Sequence, residues 1–227
     1  MNPCRPCARW LRALVLAPCV LALAACALPR VTRRPAQTQY RLLPSPQRLA
    51  EPGLRPVVLR VLPMQAAPGL DGVDMLYSEQ PLQLMPYRDS RWLVPPAQMI
   101  DSALRQTLAR QRWVDGVEGM LPLGRSQWTL ECRLQRLEHD VYAHRVELGL
   151  ACQLVDNASG RLAASWRFDS TRQPAAQDAA GYAAATQRLL DDALAQVLRR
   201  TAAALRAAQG SAAGSPASAI SRSSDSP

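Results

Sequence analysis

Three stretches between Trp128 and Phe168 keep a two-residue alternation of apolar side chains with polar or small ones. That pattern limits the fold more than any other feature of the chain. Trp128, Leu130, Cys132 and Leu134 alternate with Thr129, Glu131, Arg133 and Gln135. Val146, Leu148, Leu150 and Cys152 alternate with Glu147, Gly149, Ala151 and Gln153. Leu162, Ala164, Trp166 and Phe168 alternate with Arg161, Ala163, Ser165 and Arg167. Successive side chains of a strand point to opposite faces, so the three stretches predict an antiparallel sheet that is dry on one side and wet on the other. The run Asp156 to Gly160 supplies a turn between the second and third strands.

A sheet with one apolar face needs a cover, and two segments have the period to provide it. From Ala97 to about Arg110, apolar residues fall at Met99, Ile100, Ala103, Leu104 and Leu108, after Pro95 and Pro96, which suit a first helical turn. Asp101, Arg105 and Arg110 are expected on the wet side. An Ala-rich helix follows Pro174, from about Asp178 to Ala207, with Tyr182, Leu189, Leu190, Leu194, Val197, Leu198 and Leu205 on its buried side and Gly210 as its stop. Ahead of these lie shorter strand candidates: Tyr40 to Leu43, the apolar run Val57 to Leu62, and a hairpin pairing Met75 to Tyr77 with Leu82 to Leu84. The order predicts an α+β fold in a single domain, a mostly antiparallel sheet with two main helices packed on one face, over residues 40–207.

Both ends read differently. Residues 1–25 carry Arg5, Arg9 and Arg12, then an apolar run too short to span a bilayer, then small residues before Cys26. Leu23-Ala24-Ala25-Cys26 has the pattern of a bacterial lipobox, so residues 1–25 are expected to be a lipoprotein signal peptide and Cys26 the lipidated first residue. Residue 27 is Ala rather than the Asp that favours inner-membrane retention. The expected location is therefore the outer membrane, lipid-anchored and facing the periplasm. Residues 26–39 read as a tether and 208–227, rich in Ser, Ala, Gly and Pro, as a disordered tail. Losing the signal lowers the net charge from +9 to +6, and every basic residue is Arg. These arginines are scattered without a recognition motif, so no nucleic-acid partner is expected.

Little points to chemistry. His139 and His144 flank the turn of the first hairpin, where a solvated tip is expected rather than a metal site, because further strong ligands are lacking. No metal, no cofactor and no catalytic residue is expected, since the chain has no nucleophile motif, zincin motif or phosphate loop. Cys132 and Cys152 share the apolar face and sit nearly opposite if the hairpin turns near residue 142. That is compatible with a disulfide and equally with two free buried thiols. Trp92, beside Arg91, either caps the core or marks a partner surface. The apolar stretch containing Met75, Tyr77, Leu82, Leu84 and Tyr87 is either core or an edge that meets a partner.

The order of these features resembles the ABC-type transport auxiliary lipoprotein family, of which paraquat-inducible lipoprotein C is typical. The matching points are the lipobox, Tyr40-Arg41-Leu42, the strand Val57 to Pro63, Leu70-Asp71, Met75-Leu76-Tyr77, and Arg91-Trp92 ahead of a helix with Leu104 and Leu108. The chain departs from the family after Trp92, where Leu93-Val94-Pro95-Pro96 replaces the usual acid and Pro. The resemblance implies a non-enzymatic accessory component of an ABC- or MCE-type system moving lipids or other apolar molecules across the envelope. Its partners would be the membrane through the N-terminal lipid, an MCE-domain periplasmic protein, an inner-membrane permease and, in some cases, further copies of itself. A structural or assembly lipoprotein of the envelope is the alternative.

Overall fold

In a computed structural model, residues 37–44, 46–119 and 124–213 are described. The signal segment, Cys26, most of the tether and the tail after residue 213 lie outside the described residues. The strands, in chain order, are β1 (Thr38–Tyr40), β2 (Val57–Val61), β3 (Gln65–Ala66), β4 (Asp74–Ser78), β5 (Met85–Trp92), β6 (Val114–Glu118), β7 (Trp128–Asp140), β8 (Arg145–Asp156) and β9 (Leu162–Arg172). The helices are α1 (Pro96–Ala109) and α2 (Ala179–Ala213).

Strand β7 is the spine. One edge pairs antiparallel with β8 along the strand, and β8 pairs antiparallel with β9. Its other edge takes three short parallel partners in succession: β2 beside Trp128–Leu130, β3 beside Arg133–Leu134 and β4 beside His139–Asp140. Strand β5 joins β4 antiparallel, and β1 and β6 close onto β5 and β2 in parallel. The fold is α+β as expected, and the sheet is mixed. The three long alternating strands are the antiparallel part, while most of the short ones enter in parallel.

Both helices bury the stripes that their sequences carry. Met99, Ile100, Ala103, Leu104 and Leu108 of α1 and Tyr182, Leu189, Leu190, Leu194, Val197 and Leu205 of α2 are all buried in one core. Helix α1 starts at Pro96, whose missing N–H costs nothing in a first turn. Asp101 and Arg105 are not on a wet face. Arg105 pairs with Asp101 at 2.7 Å and donates to the Val61 carbonyl at 2.7 Å, while Asp101 accepts from the Met64 amide at 3.1 Å. This tie satisfies backbone groups where β2 ends. Helix α2 is capped by Asp178, whose carboxylate accepts from the Gly181 amide at 2.7 Å. It runs through Gly210 to Ala213, so Gly210 does not stop it.

Two further expectations shift, and one strand is new. The segment Leu82 to Leu84 is not a strand: Leu82 is fully exposed with φ +66, and the hairpin partner of β4 begins at Met85. The first strand is Thr38–Tyr40 rather than Tyr40 to Leu43. Its hydrogen-bonding neighbour β5 sets that register, pairing Tyr40 with Trp92. Strand β6 has no clear alternation of its own. It forms because β2 offers it an edge, as the Val58–Gly116 and Leu59–Val117 pairs show.

Candidate partner-binding surface

The main departure from simple alternation lies inside β7. Pairing with β8 slips by one residue between Leu134 and Arg136. A β-bulge of this kind flips the phase of every residue beyond it. Before the bulge the even residues face the core; after it, Leu137 and His139 do. His139 is therefore completely buried, not part of a solvated tip. His144, on the turn itself, is exposed with φ +53.

Burying an imidazole requires partners for both ring nitrogens. Strand β5 and the segment before α2 supply them. Tyr87 Oη lies 2.8 Å from His139 Nδ1, and Gln177 Oε1 lies 3.0 Å from Nε2. With Gln177 accepting, Nε2 carries the proton and Nδ1 accepts from the tyrosine hydroxyl. Burial lowers the His139 pKa, although the Gln177 contact and the nearby Asp140 and Asp178 act in the opposite direction. The ring is neutral and both nitrogens are engaged. Burial, and after it Asp178, push the Tyr87 phenol up to about 12.

Aromatic rings fill the space around this pair. Tyr182 of α2 lies 5.5 Å from the His139 ring, and Trp92 meets Tyr182 edge-on at 5.4 Å. Tyr77 and Tyr87 are 4.6 Å apart, centroid to centroid. Such pairs favour tilted or edge-to-face geometry. Tyr182 is wholly buried and its hydroxyl has no partner among the described residues; burial raises its pKa strongly.

The layers separate the residues singled out in the sequence. Trp92 is 1% exposed and packs inside the core, so it caps the core and presents no partner surface. Tyr77 is half-buried, and with Tyr40, Tyr87, Arg88 and Gln177 it lines an open depression of about 480 Å³ between the β4–β5 hairpin and the start of α2. Tyr87, Tyr182, Gln177 and the inward turn of His139 were not legible as a group, since they come from three separate segments. One signal was available: the spacing Leu134 to Leu137 breaks the two-residue period, which marks a bulge.

Cys132 and Cys152 are directly opposed on β7 and β8, with Cα atoms 4.1 Å apart and their sulfurs bonded in the structure. The close approach is that of a non-hydrogen-bonded antiparallel pair. Among the described residues there is no group of His, Cys, Asp and Glu side chains able to hold a metal ion, and no helix long and apolar enough to cross a membrane.

Residues 40–198 match the family described as ABC-type transport auxiliary lipoprotein component. Among solved structures, the chain is similar to a Xanthomonas campestris protein of the family DUF330, at 21% identity and a TM-score of 0.66, covering 76% of this chain and 99% of that one. It is also similar to an uncharacterized protein at 18% identity and a TM-score of 0.58, covering 72% and 97% of the two chains. These likenesses establish the fold. No curated protein matches the sequence.

Proposed function

The chain belongs to the ABC-type transport auxiliary lipoprotein component family, and from that premise we propose that it is a non-enzymatic docking component of an envelope transport system. In this reading Cys26 carries the lipid and holds the chain on the outer membrane facing the periplasm. The folded domain then engages an MCE-domain protein and, through it, an ABC-type permease that moves lipids or other apolar molecules. The single observation that carries the reading is the family match, which runs from β1 into the last helix and so spans the domain rather than one motif. The half-exposed Tyr77, tilted against Tyr87 above the buried His139 and Tyr182, is the part of the surface we assign to the partner. Tyrosines of this kind give large contact area at low entropic cost.

A photo-crosslinking residue at Tyr77 in the intact envelope tests this. Crosslinks to an MCE-domain protein or permease subunit are expected. Recovery of wall or secretin components alone would refute the transport role and favour an assembly lipoprotein. Cys26→Ser is expected to move the chain from the membrane to the soluble fraction; unchanged membrane association would refute the anchor.

A further inference from the structure

Strand β9 ends the sheet with eleven residues and, among the described residues, pairs only with β8. In an antiparallel ladder, alternate residues direct both backbone groups to one side. The Arg167 carbonyl accepts from Gln196 Nε2 at 3.1 Å, so it points away from β8. By alternation the backbone groups of Ser165, Asp169 and Thr171 also face the open edge. A long unpaired edge is a template for another strand.

We propose that this edge pairs with the same edge of a second copy, about a two-fold axis through Phe168. The charge pattern selects that register. Antiparallel pairing of identical edges must set odd residues against odd residues, which leaves few choices. An axis at Arg167 opposes two arginines, and an axis at Asp169 opposes two aspartates. An axis at Trp166 or Ser170 leaves Arg167 and Asp169 without each other. Only the axis at Phe168 places Arg167 of each copy directly opposite Asp169 of the other, twice, with Ser165 opposite Thr171 and Phe168 opposite Phe168. Unlike charges, small hydroxyls and aromatic rings are the favourable cross-strand pairs, and like charges directly opposite are unfavourable. Arg167, Asp169, Ser165 and Thr171 are all exposed in the single chain.

The layer above the sheet accommodates the pairing. Helix α2 packs on both β8 and β9. With strands about 4.8 Å apart, the two copies of α2 come to lie about 10 Å apart, the spacing of packed helices. Gln196 must release the Arg167 carbonyl, and the partner strand's amide replaces it. The interface is isologous, as two-fold dimers require. It lies at the opposite edge of the sheet from β1, so it leaves the Tyr77 surface free, and it does not depend on the transport role.

The test uses the full chain extracted in mild detergent, with its mass measured by sedimentation equilibrium in density-matched buffer. A dimer, or a multiple of one, is expected at micromolar concentration. Arg167→Asp alone and Asp169→Arg alone each replace attraction by repulsion twice and should weaken association about tenfold. The double reversal R167D/D169R should restore it. Ser165→Pro removes an edge-facing N–H without touching the β8 ladder, and it should weaken association while circular dichroism stays unchanged. A monomeric wild type overturns the proposal. So does an assembly indifferent to the single reversals and to Ser165→Pro, or a double reversal that fails to restore it.

Discussion

Replacing His139 with Gln should remove a defined part of the pH dependence of stability. The imidazole is fully buried, neutral, and bonded at both nitrogens. Burial lowers its folded pKa, so the unfolded chain, where histidine titrates near 6.5, binds the proton more readily. More protons on the unfolded state means stability falls as pH falls. The contribution is fully present above the unfolded pKa and is lost progressively from about pH 6.5 down to the folded pKa. The size of the loss is set by the gap between the two pKa values, at 1.36 kcal/mol for each pH unit over which only the unfolded chain binds the proton, and between pH 7.5 and 5.5 its ceiling is about 1.4 kcal/mol. For a domain of this size that corresponds to roughly 3–6 °C in Tm. Gln keeps a donor and an acceptor for Tyr87 and Gln177 but does not titrate. The assay is urea unfolding followed by tryptophan fluorescence at pH 7.5, 6.5 and 5.5 for wild type and His139→Gln. The difference between the two curves cancels groups common to both, including Glu138 and Asp191, whose carboxyl pKa values burial raises. The two chains should diverge below pH 6.5, with wild type losing more. Parallel curves across that range would show that His139 is protonated or hydrated in the folded chain, contrary to the buried network.

Gly181→Ala should destabilise by about 2–3 kcal/mol in thermal unfolding, as overpacking does, because a Cβ there would run into the Ala176 carbonyl oxygen. Tyr182→Phe should leave stability unchanged or raise it by up to about 1 kcal/mol, since the buried hydroxyl has no partner among the described residues and its removal breaks no bond; a clear loss in Tm would reveal a partner such as a bound water. The Cys132–Cys152 bond closes a loop with a sequence separation of 20. The double Ala variant should lower stability by about 2–4 kcal/mol under oxidising conditions. Non-reducing mass measurement should find the wild type lighter by two hydrogens than its reduced form, and free thiols in the exported protein would refute the pairing.

The parts of the fold that are local in origin were readable from the chain. The three alternating stretches became β7, β8 and β9, and the apolar stripes at Met99 to Leu108 and Tyr182 to Leu205 became the buried faces of α1 and α2. Each of those signals repeats several times within one element, so neighbouring residues reinforce it. The lipobox at Cys26 is likewise a local pattern, and it lies outside the described residues.

Position within the tertiary structure decided the rest. Strands β3 and β6 exist because β7 and β2 offer them an edge, which short sequences such as Gln65–Ala66 do not encode. Gly210 did not stop α2, and Leu82 took a left-handed turn where its side chain suggested a strand. His139 shows the physical reason most plainly. Its alternation inherits a phase from the bulge before Arg136, and one extra residue exchanged solvent for the core. Its two partners then arrived from β5 and the approach to α2, separated by 52 and 38 residues in the chain. Sequence by itself determined the periods, hence the layers. Only the packed structure set their phase and register, because those depend on which edges and rings are brought together across the fold.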